Sequence, residues 1–295
     1  MAWRFALALA PVASDDARED FSDTFRPLDP GAPALPVGEL SAQRGDGVFE
    51  SLGVVDRHPQ EVGPHLERLA ASAALCDLPA PNPEQWRQAI RAAAAHAPIT
   101  GEGVLKLILS RGVEHGATPT AWVTVADAAD NSAVRERGIR LVTLDRGYAL
   151  DVPTRAPWLL LGAKTLSYAV NMAAIREAKR RGADDALFVS SDGFLLEAPT
   201  ANLILRIHGR FVTPLPAGGI LHGTTQRSVF AHLERSGHDT AYEAIPVADL
   251  AKADAAWLVS SVRLAAPVTA VDGIRLAVDA PRTADLNRHL LSRRD

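Results

Sequence analysis

The chain has 295 residues, of which 47% are hydrophobic and 22% are charged, with a formal net charge of −4. This length suggests about two domains, and the composition argues against a disordered chain and against a bundle of membrane spans. The charge and an aromatic content of only 5% argue against nucleic acid as a partner. The single cysteine, Cys76, excludes an intramolecular disulfide and a multi-cysteine metal site, so we expect no metal.

The N-terminal part of the chain shows the alternation of strands and the periodicity of two helices. We predict strands at 5–9, 48–55, 103–110 and 121–126, and helices at 64–74 and from Asn82-Pro83 to about His96. The residues from Met1 to Ala10 resemble a short signal peptide, but Pro11 interrupts the apolar run. A first strand is the simpler interpretation, and a cytoplasmic location follows from it.

Residues 127–135 are polar and lack periodicity. We therefore predict a linker there, between a small N-terminal domain (1–126) and a larger C-terminal domain (136–295). In the second domain we predict strands at 140–144, 186–189, 194–197, 202–207, 210–212, 255–260 and 268–271, and helices at 168–181 and 225–235. Because hairpins and helices are mixed rather than alternating, the predicted fold class is α+β.

Lysine is scarce, since only four of the 31 basic residues are lysines. Lys164 is the one charge in a long apolar stretch that begins at Trp158. Burying an ammonium group is costly, and a buried lysine amine is suited to forming a Schiff base with a carbonyl. By spacing alone, a lysine whose amine reaches water from a strand end remains the commoner case. Lys106, inside another apolar strand, is the competing candidate.

A glycine-rich segment, Gly218-Gly-Ile-Leu-His-Gly-Thr-Thr225, precedes a predicted helix. The N–H groups and the positive dipole end of a helix N-terminus favour an anion such as phosphate, and Thr224 and Thr225 add hydroxyl groups. An ordinary N-cap after a glycine turn explains the pattern equally well. The segment has neither the Walker nor the GxGxxG spacing, so it gives little support to nucleotide binding.

Two further side chains are candidates for a binding site. Glu197 ends an apolar strand, where it either caps the strand or pairs with a cationic ring nitrogen. Arg68 lies on the first helix, either as a fork for phosphate or, more commonly, as a solvated arginine. A lysine, an acid and a phosphate-binding group are together what pyridoxal 5′-phosphate needs.

Three motifs in order, with matching spacing, resemble the class IV aminotransferases, the fold-type IV pyridoxal-phosphate enzymes. The motifs are Lys164-Thr-Leu-Ser, Glu197-Ala-Pro-Thr-Ala-Asn202-Leu and Gly219-Ile-Leu-His-Gly-Thr-Thr-Gln-Arg227. The resemblance extends from Gly45-Asp-Gly-Val-Phe-Glu50 to Val268. This family contains branched-chain aminotransferases, D-amino-acid aminotransferases and aminodeoxychorismate lyases.

The resemblance implies a two-domain fold like that of D-amino-acid aminotransferase, with the cofactor in the cleft between the domains, and a homodimer. It also implies that Lys164 binds the aldehyde of pyridoxal 5′-phosphate and moves the proton, and that Glu197 faces the pyridine nitrogen. The implied phosphate ligands are Arg68, Thr224, Thr225 and Ser261. At Val262 the family often has a threonine, so Ser261 or the backbone replaces that contact.

The segment from Gly103 to Arg111-Gly resembles aminodeoxychorismate lyases more than branched-chain aminotransferases. A threonine stands at the position of Glu50 in some lyases, as in transaminases. D-amino-acid aminotransferases carry a carboxylate-binding arginine that Val113-Glu-His-Gly116 lacks. We therefore expect Arg44 or Arg111 to bind a substrate carboxylate, with His115 as a further candidate.

The expected activity is aminodeoxychorismate lyase, which converts 4-amino-4-deoxychorismate to 4-aminobenzoate and pyruvate for folate synthesis. The alternative is a class IV aminotransferase acting on branched-chain or D-amino acids. The third alternative, a non-catalytic fold relative, has no need of Lys164 and Glu197. The expected partner is a small amine that carries a carboxylate, with neither nucleic acid nor a membrane.

Overall fold

The computed structural model describes residues 3–292, in two compact units. The first unit contains residues 3–129 and 163–168, and the second contains residues 130–162 and 169–292. The segment around Lys164 therefore belongs to the first unit, whereas the sequence placed it in the C-terminal domain. The residues 1–2 and 293–295 of the two predicted domains lie outside the described residues.

The first unit is a six-stranded antiparallel sheet with helices packed against it. Its elements are β1 (Trp3–Leu9), β2 (Phe25–Leu28), α1 (Leu40–Gln43), β3 (Gly47–Val55), β4 (His58–Pro59), α2 (Val62–Leu75), α3 (Pro83–His96), β5 (Glu102–Ser110) and β6 (Thr120–Asp127), with a short 3₁₀ turn at Ser22–Thr24. The strand order is β2-β1-β6-β5-β3-β4. All its pairs are antiparallel.

Local sequence explains where α3 begins and which faces of α2 and β5 are buried. Asn82 accepts hydrogen bonds from the N–H groups of Glu84 and Gln85, and Pro83 fits the first turn of α3. Leu105 and Leu107 on β5 are fully buried, as is Leu69 on α2. The apolar stripe of the helix and one face of the sheet therefore form a common core, as the periodicity predicted.

The second unit contains an eight-stranded mixed sheet. Its elements are α4 (Ser132–Arg137), β7 (Ile139–Asp145), α5 (Val152–Arg155), α6 (Ala169–Arg180), β8 (Asp185–Val189), β9 (Asn202–Ile207), β10 (Arg210–Pro214), α7 (Thr224–Arg235), β11 (Thr240–Glu243), β12 (Ala253–Ser260), β13 (Leu264–Val271), β14 (Ile274–Arg275) and α8 (Ala280–Ser292), with 3₁₀ turns at Pro157–Leu159, Pro216–Gly218 and Val247–Lys252. The strand order is β11-β10-β9-β12-β13-β7-β8, and β14 pairs with β13. Pairs β10–β11, β13–β7 and β7–β8 are parallel.

The α+β fold class is confirmed, with two separate sheets and mixed helices and strands. The predicted strand at 194–197 is instead an extended segment that runs beside β8, where the N–H of Leu196 bonds to the carbonyl of Phe188 at 2.9 Å. A short helix, α4, occupies part of the predicted polar linker. Within residues 3–292, no helix combines the length and apolar character needed to cross a membrane.

Candidate active site

Lys164 lies on a short segment that returns to the first unit and pairs with β3. Its carbonyl accepts a hydrogen bond from the N–H of Phe49 at 3.0 Å, and its N–H donates to Oγ of Ser72 at 3.1 Å. The Nζ atom lies 4.3 Å from the ring centre of Phe49 and 5.8 Å from that of Tyr168. The backbone of Lys164 is thus fixed by β3 and α2, and its amine lies among aromatic rings.

The competing lysine lies elsewhere on the same sheet. Lys106 pairs in register with Ser51 and Thr124. Its Nζ atom lies 5.8 Å from the ring of Trp3. Because neighbouring residues of a strand face opposite sides of a sheet, Lys106 and Glu50 lie on opposite faces. Lys106 is therefore separated from the charged groups described next.

Glu50, His65 and Arg68 form a buried hydrogen-bonded cluster between β3 and α2. The Glu50 carboxylate accepts two hydrogen bonds from Arg68, from Nε at 2.7 Å and from Nη2 at 2.8 Å. His65 Nδ1 donates to the same carboxylate at 2.7 Å. Glu50 and His65 are fully buried, and the Arg68 side chain is only 14% exposed. The Arg68 guanidinium is therefore fixed by Glu50 and is not a solvated surface group.

The charges of this cluster determine its protonation. Burial by itself raises the pKa of Glu50, but the charge of Arg68 and the contacts with His65 outweigh it and hold that pKa well below 4.5. Burial lowers the pKa of His65, and the charges of Arg68 and Lys164 act in the same direction. The cluster therefore contains an ionised Glu50 beside an uncharged His65 at neutral pH.

The three residues proposed to bind a substrate carboxylate differ in their hydrogen-bond partners and in their exposure. Arg111 bonds to Asp46 through Nε at 2.7 Å, and its two other nitrogens donate to the carbonyls of Cys76 and Asp77. Arg44 follows α1, pairs with Glu114 at 3.1 Å and is 64% exposed. His115 is exposed, with a left-handed backbone at φ 65°. Arg111 thus ties the end of β5 to the end of α2, while Arg44 remains accessible.

In the second unit, Glu197 precedes the turn that leads to β9. Its Oε1 accepts a hydrogen bond from the N–H of Leu221 at 3.2 Å, and its Oε2 accepts one from Nδ2 of Asn202 at 3.2 Å. The residue is half-buried. This carboxylate is fixed in direction by two donors, as an acid that pairs with a ring nitrogen needs to be.

The N-terminus of α7 gathers three hydroxyl groups. Oγ of Ser261 lies 3.1 Å from Oγ1 of Thr225 and 3.4 Å from Oγ1 of Thr224. Both threonines are buried, and the helix follows Gly223, which has no side chain to cap it. The first N–H groups of a helix lack carbonyl partners within that helix. Hydroxyls and helix N–H groups in this arrangement suit an oxyanion such as phosphate.

The structure thus groups the predicted residues by unit. Lys164 and Arg68 lie in the first, and Glu197, Thr224, Thr225 and Ser261 lie in the second. Sequence reasoning assigned no role to Glu50, His65 or Asn202. The spacing of His65 and Arg68, three residues apart on one helix face, was the available signal for a common partner. Among residues 3–292, no group of histidine, cysteine and carboxylate side chains is arranged to hold a metal ion.

Comparisons with known proteins place the chain in a family. The model of the family "Amino-transferase class IV" matches residues 47–271. The chain is 46% identical, over 266 residues, to a bifunctional aminodeoxychorismate lyase / D-amino acid transaminase of Mycobacterium tuberculosis, covering 87% of this chain and 91% of that protein.

Solved structures agree with this result. A fold IV-transaminase, CpuTA1, of Curtobacterium pusillum is 50% identical with a TM-score of 0.92, covering 98% of this chain and 99% of that one. The pyridoxal-phosphate-bound form of a hypothetical aminotransferase of M. tuberculosis is 41% identical with a TM-score of 0.89, covering 98% and 99%. The resemblance seen in the sequence is confirmed. The chain belongs to the class IV aminotransferases, a family of pyridoxal-phosphate enzymes.

Proposed function

We propose that the chain is a pyridoxal-phosphate-dependent aminodeoxychorismate lyase, which forms 4-aminobenzoate and pyruvate for folate synthesis. The observation that carries this proposal is the 46% identity to the bifunctional mycobacterial enzyme over 91% of its length. The proposal extends to a homodimer, as the family resemblance implies, and to the cytoplasmic location expected from the N-terminal sequence.

The side chains fit the cofactor by their chemistry. Lys164 offers an amine for the aldehyde, and Glu197 offers an oriented carboxylate for the ring nitrogen. The start of α7 offers the Thr224 and Thr225 hydroxyls with that of Ser261 for the phosphate. Arg68, turned by Glu50, is the remaining phosphate ligand in this proposal.

When bound, pyridoxal 5′-phosphate supplies an aldehyde for the substrate amine and a ring that accepts electrons. Lys164 has two roles. Its Nζ atom would hold the aldehyde of the cofactor, and as a free amine it would take the proton from the substrate carbon that bears the nitrogen. The Phe49 ring, 4.3 Å away, limits where the amine moves and shields it on one side from water. After that proton is removed, cleavage of the C–O bond at the neighbouring carbon would release enolpyruvate, which takes up a proton to become pyruvate, and aromatisation of the ring favours this elimination.

Substrate recognition requires a cation, since 4-amino-4-deoxychorismate carries two carboxylates. A guanidinium is the best partner for a desolvated carboxylate. Arg44 is the stronger candidate because its side chain is 64% exposed and pairs with the partly exposed Glu114. Arg111 already uses all three of its nitrogens on Asp46 and on two carbonyls.

A second candidate is D-amino-acid transamination, because the mycobacterial relative is described as having both activities. The curtobacterial structure is likewise described as a transaminase. A transaminase uses the same lysine but returns the proton to a different carbon and needs a 2-oxo acid as second substrate. The absence of an arginine from Val113 to Gly116 argues for the lyase as the main activity.

A product assay tests the proposal. The enzyme is loaded with pyridoxal 5′-phosphate and incubated with 4-amino-4-deoxychorismate, and 4-aminobenzoate and pyruvate are measured. Parallel reactions contain D-alanine or L-leucine with 2-oxoglutarate, and Lys164→Ala is the inactive control. We expect equal amounts of 4-aminobenzoate and pyruvate. Transamination without any 4-aminobenzoate would overturn the lyase assignment.

A further inference from the structure

We propose that Asn202 is a positioning residue that holds Glu197 and the turn before α7 as one unit. The proposal rests on the proposed function, which gives Glu197 and the start of α7 their cofactor contacts. Asn202 is the last polar residue of the second motif, and its amide bonds to Glu197 and to the carbonyl of Leu221.

The contacts of Asn202 close a small ring of hydrogen bonds. Its Nδ2 donates to Oε2 of Glu197 at 3.2 Å and to the carbonyl of Leu221 at 2.8 Å. The N–H of Leu221 donates to the other oxygen of Glu197 at 3.2 Å. Each of the three residues thus bonds to the other two, so none of them moves alone.

Asn202 also fills the space beside the residue that starts the helix. A Cβ atom added to Gly223 would lie 1.8 Å from Oδ1 of Asn202, far inside any allowed contact. The backbone of Gly223 has φ −64°, which any residue can adopt. The glycine is therefore required here by the Asn202 side chain and not by its own conformation.

The other side of Asn202 is anchored in the sheet. It is the first residue of β9, pairs in register with Val259 of β12 and is only 7% exposed. Two residues beyond Val259, Ser261 meets the threonines of α7. The sheet therefore fixes Asn202, and Asn202 fixes the Leu221–Gly223 turn that enters α7.

A side-chain amide is the group that suits position 202, between the Glu197 carboxylate and the Leu221 carbonyl. Its NH₂ provides two donors, one for a carboxylate and one for a carbonyl. An aspartate would place a second carboxylate beside Glu197, and an alanine would leave both acceptors without their donor. Since the ring nitrogen and phosphate of one cofactor are a fixed distance apart, a fixed spacing between Glu197 and α7 favours binding through pre-organisation.

The experiment compares Asn202→Ala with Asn287→Ala. Asn287 is a matched control in the same unit, because its amide also makes two hydrogen bonds, both to the backbone of Ala265 at 2.9 Å. Hydrogen exchange of the Leu221 amide is measured in the cofactor-free proteins. The dissociation constant for pyridoxal 5′-phosphate and the visible absorbance of the bound cofactor are measured separately.

We expect Asn202→Ala to speed exchange at Leu221 and to raise the dissociation constant about tenfold or more, the effect of losing hydrogen bonds to a charged group. Asn287→Ala should lower thermal stability without either change. Asn202→Asp provides a further test. Its affinity relative to wild type should recover as the pH falls, because a protonated carboxyl can donate again and a neighbouring carboxylate raises its pKa.

Two results would contradict these expectations in distinguishable ways. If Asn202→Ala matches Asn287→Ala in exchange and in cofactor affinity, Asn202 is not a positioning residue. If the wild-type protein itself fails to bind pyridoxal 5′-phosphate, the proposed function is wrong, and the cofactor role of Asn202 is wrong with it.

Discussion

The guanidinium of Arg68 donates two hydrogen bonds to the carboxylate of Glu50, at 2.7 and 2.8 Å. Because a guanidinium is planar and its donors point in fixed directions, two such bonds set the orientation of the whole group. The direction of an arginine on α2 is thus decided by a buried residue on β3. A change at Glu50 should therefore also affect Arg68.

Replacing Glu50 by glutamine should destabilise the first unit in a pH-dependent way. At pH 7 we expect the free energy of unfolding to fall by about 3 kcal/mol, since the largely buried guanidinium of Arg68 loses its carboxylate partner. The pKa of Glu50 is lower in the folded protein than its usual 4.5. The stabilisation is therefore complete above pH 4.5 and is lost as the pH falls below it. Urea unfolding of both proteins at several pH values measures the difference.

Asp46→Asn is the control for this experiment. Asp46 pairs with Arg111 at 2.7 Å, but the two side chains are 34% and 41% exposed. Exposed pairs contribute about 1 kcal/mol or less. An equal loss of stability in both variants, or a Glu50→Gln effect that does not change between pH 7 and acid, would contradict the prediction.

Lys164 should carry the cofactor, and Lys106 should not. Borohydride reduction of the loaded enzyme followed by peptide mapping should place the pyridoxyl label on Lys164. Lys164→Ala should lose the visible absorbance of bound cofactor, while Lys106→Ala should keep it, because Lys106 lies near Trp3. A label on Lys106, or cofactor absorbance in the Lys164→Ala protein, would show the assignment to be wrong.

The proposed phosphate ligands can be tested by comparing the binding of pyridoxal 5′-phosphate with the binding of pyridoxal, which lacks the phosphate. Arg68→Ala should weaken binding of the phosphorylated form by about 1.5–3 kcal/mol, the range for hydrogen bonds to charged groups. Thr225→Val should act in the same direction through its lost hydroxyl. Neither change should alter pyridoxal affinity. Arg87→Ala, on an arginine of α3 that pairs with Glu84, is the control, and a loss common to both ligands would exclude a phosphate role.

Changing Arg44 to glutamine should affect catalysis, whereas changing Arg111 to glutamine should affect stability. Arg44→Gln should reduce kcat/KM about tenfold or more, with an unchanged cofactor spectrum, because a substrate carboxylate loses a charged donor. Arg111→Gln should lower thermal stability, since it breaks bonds to Asp46 and to two carbonyls. If both proteins keep the wild-type kcat/KM, the substrate carboxylate is bound elsewhere, with His115 the next residue to test.

Local periodicity was sufficient to predict much of the fold. The strands β3 and β5 and the helices α2 and α3 carry strong apolar patterns, and their ends match within a few residues. The helix α8 was missed because only Thr283, Leu286 and Leu290 are buried on it. Its stability comes from packing on the sheet, which a short stripe with few apolar residues does not reveal.

In the candidate site, too, some features could be predicted from the sequence and others could not. Lys164, Glu197 and the threonines of α7 could be proposed from the sequence because each belongs to a motif with a chemical meaning. The bond between Glu50 and Arg68 joins positions 18 residues apart, and it depends on a strand and a helix packing face to face. The hydrogen bond from Asn202 to the carbonyl of Leu221 depends on a turn whose geometry the sequence pattern does not specify.

The return of residues 163–168 to the first unit limits how this gene can be recombined. A single crossover near residue 130 would place the lysine segment of one parent beside the β3 of another. The fit between them is tight, because a Cβ atom on Gly47 would lie 2.8 Å from a methyl of Leu166. In chimeras of two relatives, Lys164 should therefore keep its contacts with β3 only when residues 163–168 and β3 come from the same parent. This requires two further crossovers, one on each side of residues 163–168.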